Sequence, residues 1–259
     1  DRDWSSDVCS SDLNPGLGDF LHARNMAATC RRMPEADFRT KRMNIWTAGG
    51  ETWLPFGAWA DLAVAPIPDP GTRCVLAFDG SYGDDSTALV GCTVPDEGHP
   101  PTVWIEGLWE RPPDDESYRV PRSDVRAAVH AAMARYDVAE LAPDPPKWET
   151  DIEEWEDLYG DVVVRFPTWV RKRMAPACNR FYAAVMERQI RHDGSDALAR
   201  HLLNCVTKHT PEGVVIVKAA KSSPRKIDAA VAAVVAHDRA CWHAANPGGA
   251  TNLDGPLMA

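Results

Sequence analysis

The stretch Cys74-Val-Leu-Ala-Phe-Asp-Gly-Ser-Tyr-Gly-Asp-Asp-Ser-Thr-Ala-Leu-Val-Gly-Cys-Thr-Val94 constrains this chain more than any other. Cys74 to Phe78 is a short apolar run with β-branched and aromatic members, the composition of a buried strand. Asp79 ends it, and Gly80-Ser81-Tyr82-Gly83 is turn chemistry. Thr87 to Val94 is apolar and β-branched again and reads as the returning strand. The expected unit is a hairpin whose first strand finishes on a carboxylate. A buried strand has little reason to end on Asp unless the charge is solvated, paired or metal-bound. A turn-initiating Asp is the competing reading of this residue taken alone.

With 259 residues, 44% hydrophobic and 25% charged, the chain can build one good core plus extra segments. No window approaches the run of about 18 apolar residues that a membrane span needs. No N-terminal segment has the basic-then-apolar form of a signal peptide. Seven cysteines, an odd number without any Cys-x-x-Cys pair, argue for free thiols in a reducing compartment and against a zinc site. The net charge of −10 speaks against nucleic acid, but its distribution does not. Asp79 to Asp161 holds 21 acids and 6 bases, whereas Val162 to Lys226 holds 4 acids and 13 bases. A basic half after an acidic one suits a phosphate-contacting face, with a solvated surface as the plainer alternative.

Residues 1–13 are Ser/Asp-rich without apolar period and are expected to be an adapter-derived artefact. Asn14 to Met33 reads as a helix and Phe38 to Trp46 as a second helical piece. Trp53, Leu54, Pro55, Phe56 and Trp59 form an aromatic cluster suited to anchoring a linker. Pro66-Ile-Pro-Asp-Pro-Gly71 is a stiff, turn-rich boundary, so 14–71 is assigned to a linker or remnant and 72–245 to the main domain. Within that domain Thr102–Trp109, Val138–Pro143 and Asp161–Phe166 read as further strands, and Val214–Lys218 as a strand or hairpin arm. Helices are expected over Arg122–Tyr136, capped by Ser123, and over Trp148–Tyr159, Val170–Ile190 and Asp196–Cys205. A last apolar helix should follow Ser223 as cap and Pro224 in its first turn. Residues 246–259 are Gly/Pro-rich and read as a flexible tail. The order β-β-β-α-β-α-β-α implies an α/β fold: a mixed five-stranded sheet, its first three strands antiparallel, flanked by helices.

Three carboxylates then hold consistent places. Asp79 ends the first strand, Asp144 ends the fourth, and Asp228 lies in the early turns of the last helix. If the first and fourth strands are parallel neighbours, their ends meet at one sheet edge, where a helix start can complete the cluster. Three clustered carboxylates require cations, and hard oxygen ligands select Mg²⁺ or Mn²⁺. Two such ions about 4 Å apart are a standard device for phosphodiester hydrolysis. Asp228 also admits a simpler role, complementing the helix dipole.

These residues resemble the C-terminal nuclease domain of the large terminase subunit of tailed bacteriophages, which has a ribonuclease H-like fold. The likeness rests on Phe78-Asp79-Gly80-Ser81 with Asp85-Ser86-Thr87-Ala88-Leu89, on Asp144-Pro145, and on Lys226-Ile227-Asp228-Ala229-Ala230. It covers roughly Asn14 to Arg239, and the segments 38–46 and 53–59 resemble the part that joins the terminase ATPase to its nuclease. The resemblance implies that Asp79, Asp144 and Asp228 are both catalytic residues and metal ligands of an endonuclease cutting concatemeric DNA, with two Mg²⁺ or Mn²⁺ ions. Asp85 matches a recurrent position of the first motif, where a supporting role near the metal and a loop-stabilising role are equally open. The resemblance further implies double-stranded DNA as substrate, and portal protein and small terminase subunit as partners of a full-length ring oligomer in the infected host's cytoplasm, away from any membrane. No Gly-x-x-x-x-Gly-Lys-Ser/Thr phosphate loop occurs in the sequence, so this fragment is expected not to hydrolyse ATP.

For DNA contact, Lys218, Lys221, Arg225 and Lys226 are favoured because they lead into the third motif, with Arg171, Lys172 and Arg173 as a second group. Lys147, beside the second motif, is more simply a surface lysine. His201 and His209 admit a base or ligand role, but a lone histidine is more often structural. Trp104, Trp109, Trp148, Trp155 and Trp169 read as core and rim rather than base-stacking platforms. The competing functions are another ribonuclease H-like polynucleotidyl transferase or resolvase, and a non-catalytic module docking on the portal.

Overall fold

The computed structural model describes residues 52–81, 86–112, 114, 115, 117–220, 223 and 225–248. The two helices expected before residue 47, the 1–13 segment and the tail beyond Gly248 lie outside those residues. The described residues from Trp53 onward pack as one unit.

Its centre is a sheet of β1 (Arg73–Asp79), β2 (Thr87–Thr93), β3 (Thr102–Trp109), β4 (Asp137–Pro143) and the two-residue β5 (Arg191–His192), in the order β4-β1-β2-β3-β5. The first three strands are antiparallel, and β4 runs parallel to β1, as a connection through a helix requires. That helix is α1 (Arg122–Arg135). The others are α2 (Glu149–Tyr159), α3 (Arg171–Met186), α4 (Asp196–Leu203) and α5 (Asp228–Ala245). A separate hairpin, β6 (Cys205–Thr210) with β7 (Gly213–Lys218), lies between α4 and α5 in the chain.

Side chains alternate across β1 although every buried member is apolar. Val75 and Ala77 join the core formed with α3, α4 and α5, whereas Cys74, Leu76 and Phe78 join the core formed with α1 and α2. The sheet is therefore covered on both faces. Alanines at 229, 230, 232, 233 and 236 let α5 lie close over β1 and β2. Trp53 and Trp59 stack on Phe181 of α3, so the expected aromatic anchor is part of the core rather than a surface strap.

Four local expectations are corrected. The fifth strand is β5, pairing with β3, rather than 161–166. Gly160–Val162 forms a 3₁₀ turn, which leaves Val164 and Phe166 to donate to Leu141 and Pro143 beside β4 without forming a full strand. Ser123 does not cap α1, because its hydroxyl bonds Asp124 and the helix starts on the carbonyl of Pro121. Ser223 does not cap α5 either: its oxygen accepts from the Arg225 N–H in a local turn, and the helix starts at Asp228. Finally, Cys205, expected to end the helix from Asp196, instead opens β6, whose largely polar sequence, Cys-Val-Thr-Lys-His-Thr, becomes a strand through its pairing with β7.

Candidate active site

Period-two alternation puts the first two acids on one face. Asp79 lies two residues beyond Ala77, and Asp144 two beyond Ala142, and both alanines face the α5 side of the sheet. The parallel register brings the acids level, since Phe78 pairs with Pro143 and the Asp144 N–H donates to the Phe78 carbonyl at 2.8 Å. Asp228, the first residue of α5, reaches the same edge. Its Oδ2 accepts from the hydroxyl of Ser86, the residue that enters β2, at 2.5 Å. Asp79 is itself paired with Ala88, two residues on in that strand. Segments separated by more than sixty positions thus meet at one end of the sheet, the C-terminal end of β1 and β4.

Gly80 is required by packing just behind the acid. A Cβ there would lie 2.3 Å from the indole Nε1 of Trp148, which is fully buried and meets Phe78 edge-on. The loop after Asp144 is pinned from the other side by Arg122, whose guanidinium lies 4.5 Å over the Trp148 ring and donates to the Lys147 carbonyl. Lys147 is exposed and takes a left-handed backbone, φ 70°.

Asp144 is only 8% exposed, and burial raises its pKa, with the Thr168 hydrogen bonds pulling the other way. Thr168 holds both carboxylate oxygens, through its N–H at 3.1 Å and its hydroxyl at 2.9 Å. Asp228 is equally buried. A carboxylate has about four lone-pair positions, so such contacts orient each oxygen and leave acceptor capacity. In this conformation, no three Asp, Glu, His or Cys side chains among the described residues close around a single point. The donor chemistry is nevertheless that of three hard carboxylates on one edge, Asp144 and Asp228 each bonded by a hydroxyl, which fits Mg²⁺ or Mn²⁺ and not a thiolate-bound metal. The described cysteines are free, and burial pushes the thiols of Cys74 and Cys178 up to about 12 and 11.

The basic residues fall in two places. Arg171 and Lys172 are exposed and Arg173 half-buried at the start of α3, three residues beyond Thr168. Lys218 ends β7, Arg225 is exposed, and Lys226 is tied to α4 through its carbonyl, which accepts from Asn204 at 2.9 Å. Asp85 and Lys221 lie outside the described residues. His209 is exposed on β6, whereas His201 is fully buried and has both ring nitrogens hydrogen-bonded. Trp104, Trp148 and Trp155 are core, but Trp169, directly after Thr168, is 59% exposed. Sequence reading missed Ser86 and Thr168 as carboxylate partners. Ser86 had a weak signal, lying inside the first motif; Thr168 had none, because its partner is 24 residues away.

Comparison with known proteins decides the family. The model described as "Terminase large subunit, endonuclease domain" matches residues 102–244, more than half of the chain and a span that holds both Asp144 and Asp228. The chain belongs to this family. Among curated relatives, the Gene 13 protein of Mycobacterium phage L5 is 34% identical over 227 residues, covering 78% of this chain and 37% of that protein. The Gene 13 protein of Mycobacterium phage D29 is 34% identical over 222 residues, covering 76% and 36%. The terminase nuclease chain therefore spans little more than a third of those relatives' length. Of solved structures, the HK97 bacteriophage large terminase superposes with a TM-score of 0.61 at 19% identity, covering 91% of this chain and 55% of that one. The large terminase nuclease of thermophilic phage G20c gives 0.51 at 15% identity, covering 73% and 98%. The fold is thus the ribonuclease H-like fold of terminase nucleases.

Proposed function

We propose that this domain is a divalent-metal-dependent endodeoxyribonuclease that cuts concatemeric phage DNA during head packaging. The observation that supports it best is that Asp79 and Asp144 end adjacent parallel strands, while Asp228 opens α5 and accepts from Ser86 at the entry to the strand paired with β1. In this reading the three carboxylates hold two Mg²⁺ or Mn²⁺ ions. Such ions, when bound, activate water and stabilise the leaving oxygen of an in-line hydrolysis. Ser86 and Thr168 orient two of the carboxylates, and burial of Asp144 and Asp228 keeps bulk water from competing for them. Asp85, next to Ser86 in the chain, has a supporting role near the metal in this reading.

The basic groups take the phosphates of double-stranded DNA. Arg171, Lys172 and Arg173 follow the Thr168 loop, and Lys218, Lys221, Arg225 and Lys226 lead to Asp228. Exposed Trp169, between the two functions, offers a stacking or wedging surface beside the scissile strand. In the full-length protein, the portal protein and small terminase subunit are partners of a ring oligomer, acting in the cytoplasm of an infected bacterium.

The test is a plasmid-nicking assay with Mn²⁺ on the wild type, Asp79→Ala and Asp228→Ala, with circular dichroism as the folding control. Nicking that both substitutions abolish supports the reading. An inactive wild type that also binds no Mn²⁺ by calorimetry would leave a docking module instead.

A further inference from the structure

His201 sits on α4, wholly buried, with a partner on each ring nitrogen. Its Nδ1 lies 2.9 Å from the backbone N–H of Ala229, and its Nε2 lies 3.0 Å from Oε1 of Glu110. A backbone N–H can only donate, so Nδ1 is the bare lone pair. The ring proton is therefore on Nε2 and is donated to Glu110. That carboxylate is in turn gripped by the Arg200 guanidinium through two contacts, 3.1 and 2.6 Å. With both nitrogens occupied and no exposed surface, His201 has no means of meeting a substrate.

What it does meet is the start of α5. The first N–H groups of a helix have no partner within the helix. Ile227, at the cap position, supplies no side-chain acceptor, and the imidazole of His201 takes that role for Ala229. The neighbouring residue in the chain is Asp228. A second tie from the same helix end, Asn204 to the Lys226 carbonyl, holds the approach to this turn. The carboxylate of Asp228 is thus fixed from two sides: Ser86 holds its oxygen, and α4 holds its backbone.

We propose that His201 is a positioning residue for Asp228: as a neutral imidazole oriented by Glu110 and Arg200, it caps α5 from a different helix and sets the place from which Asp228 reaches the metal. This rests on the reading of Asp228 as a metal ligand. Nothing in it requires His201 to touch metal, water or DNA.

Two substitutions separate the cap from simple packing. His201→Asn keeps an acceptor oxygen near the Nδ1 position and gives up the contact with Glu110. His201→Gln keeps a donor near the Nε2 position and gives up the acceptor. Mn²⁺ titration by calorimetry on the folded proteins is expected to show binding weakened about tenfold in His201→Gln, the range for losing a residue that orients a ligand. His201→Asn is expected to stay within about twofold of wild type. Nicking kinetics should show the loss in kcat while KM for DNA is unchanged. Equal weakening in both variants, or none in His201→Gln, overturns the proposal in favour of a packing role. Should either variant fail to fold, ¹⁵N NMR of the wild-type imidazole still decides: a proton on Nδ1 overturns the cap. Failure of the underlying reading looks different. There the wild type binds no Mn²⁺, or Asp228→Ala binds as the wild type does, whatever the His201 variants show, and the positioning role falls with it.

Discussion

The two ends of α5 both bury acids, but the charges of β4 and its end are handled in opposite ways. Near the C-terminal end, Glu140 of β4 is fully buried and held by a guanidinium and an imidazole. Arg239 meets it with two contacts of 2.7 Å, and His243 with one of 2.9 Å. Arg180 pairs with Asp238 on the flank. Four residues after Glu140, at the N-terminal end of α5, Asp144 is held by the amide and hydroxyl of Thr168, which are neutral donors. A carboxylate matched by guanidinium and imidazole is finished as a structural element. In the reading proposed above, a carboxylate oriented by neutral donors and raised in pKa by burial is the one available to a divalent cation. Burial alone does not tell the two apart; the partners do.

The largest expected effect tests the open end. Asp79→Ala or Asp228→Asn should lower Mn²⁺-dependent nicking by about 1,000-fold or more, about 4 kcal/mol in barrier, with the circular-dichroism spectrum unchanged. Residual nicking near the wild-type rate would show that the acids at this edge take no part in cleavage. The closed end should behave in reverse. Glu140→Ala leaves the Arg239 guanidinium buried without its acceptor and should cost about 3–5 kcal/mol in urea-melt stability. A double-mutant cycle with Arg239→Met should recover much of that loss; strict additivity would break the assignment of this end as a closed pair.

Acid titration adds a second contrast, between a histidine midway along α5 and Asp144 at the sheet edge, because their signs are opposite. His237, buried in α5 against Phe181, has its pKa lowered to about 4, chiefly by burial. A depressed histidine contributes stability above its unfolded pKa of about 6.5, and that stability is lost as pH falls through 6.5 toward 4. The loss is at most about 3 kcal/mol, and His237→Phe should flatten that limb of a stability–pH curve. Asp144 has a raised pKa, so its contribution is greatest below its unfolded value and fades as pH rises through the folded one. The smallest effect follows. Asp144→Asn should leave stability at pH 7 unchanged or higher by about 1 kcal/mol while abolishing Mn²⁺ binding. A destabilisation matching that of Glu140→Ala would erase the distinction between the ends.

Legibility in the sequence followed the range of the contacts. β3 matches its expected bounds to the residue, and β1, β2, β4 and α2 match theirs to within a residue or so, because apolar runs and turn residues are local signals. β5, two residues long, left no such signal, nor did β6. The caps of α1 and α5 were misplaced for a common reason: Ser123 and Ser223 have the right chemistry, but each spends its oxygen on a residue one or two positions away. Trp169 read as core or rim and is exposed, since nothing in its neighbours' identities says which way that loop turns.

By itself, the sequence determined the β-β-β-α-β order and set acids at the ends of two strands and at the start of a helix. Those are properties of residues and their immediate neighbours, and strand periodicity carries them. The tertiary structure alone decided which acid belongs to which kind of site. Glu140 and Asp144 are both acids of one strand and its end, in similar surroundings along the chain. One meets Arg239, 99 residues away, and the other Thr168, 24 residues away. The energy of a buried charge depends on what stands within a few ångströms of it, and only the folded chain brings those groups together.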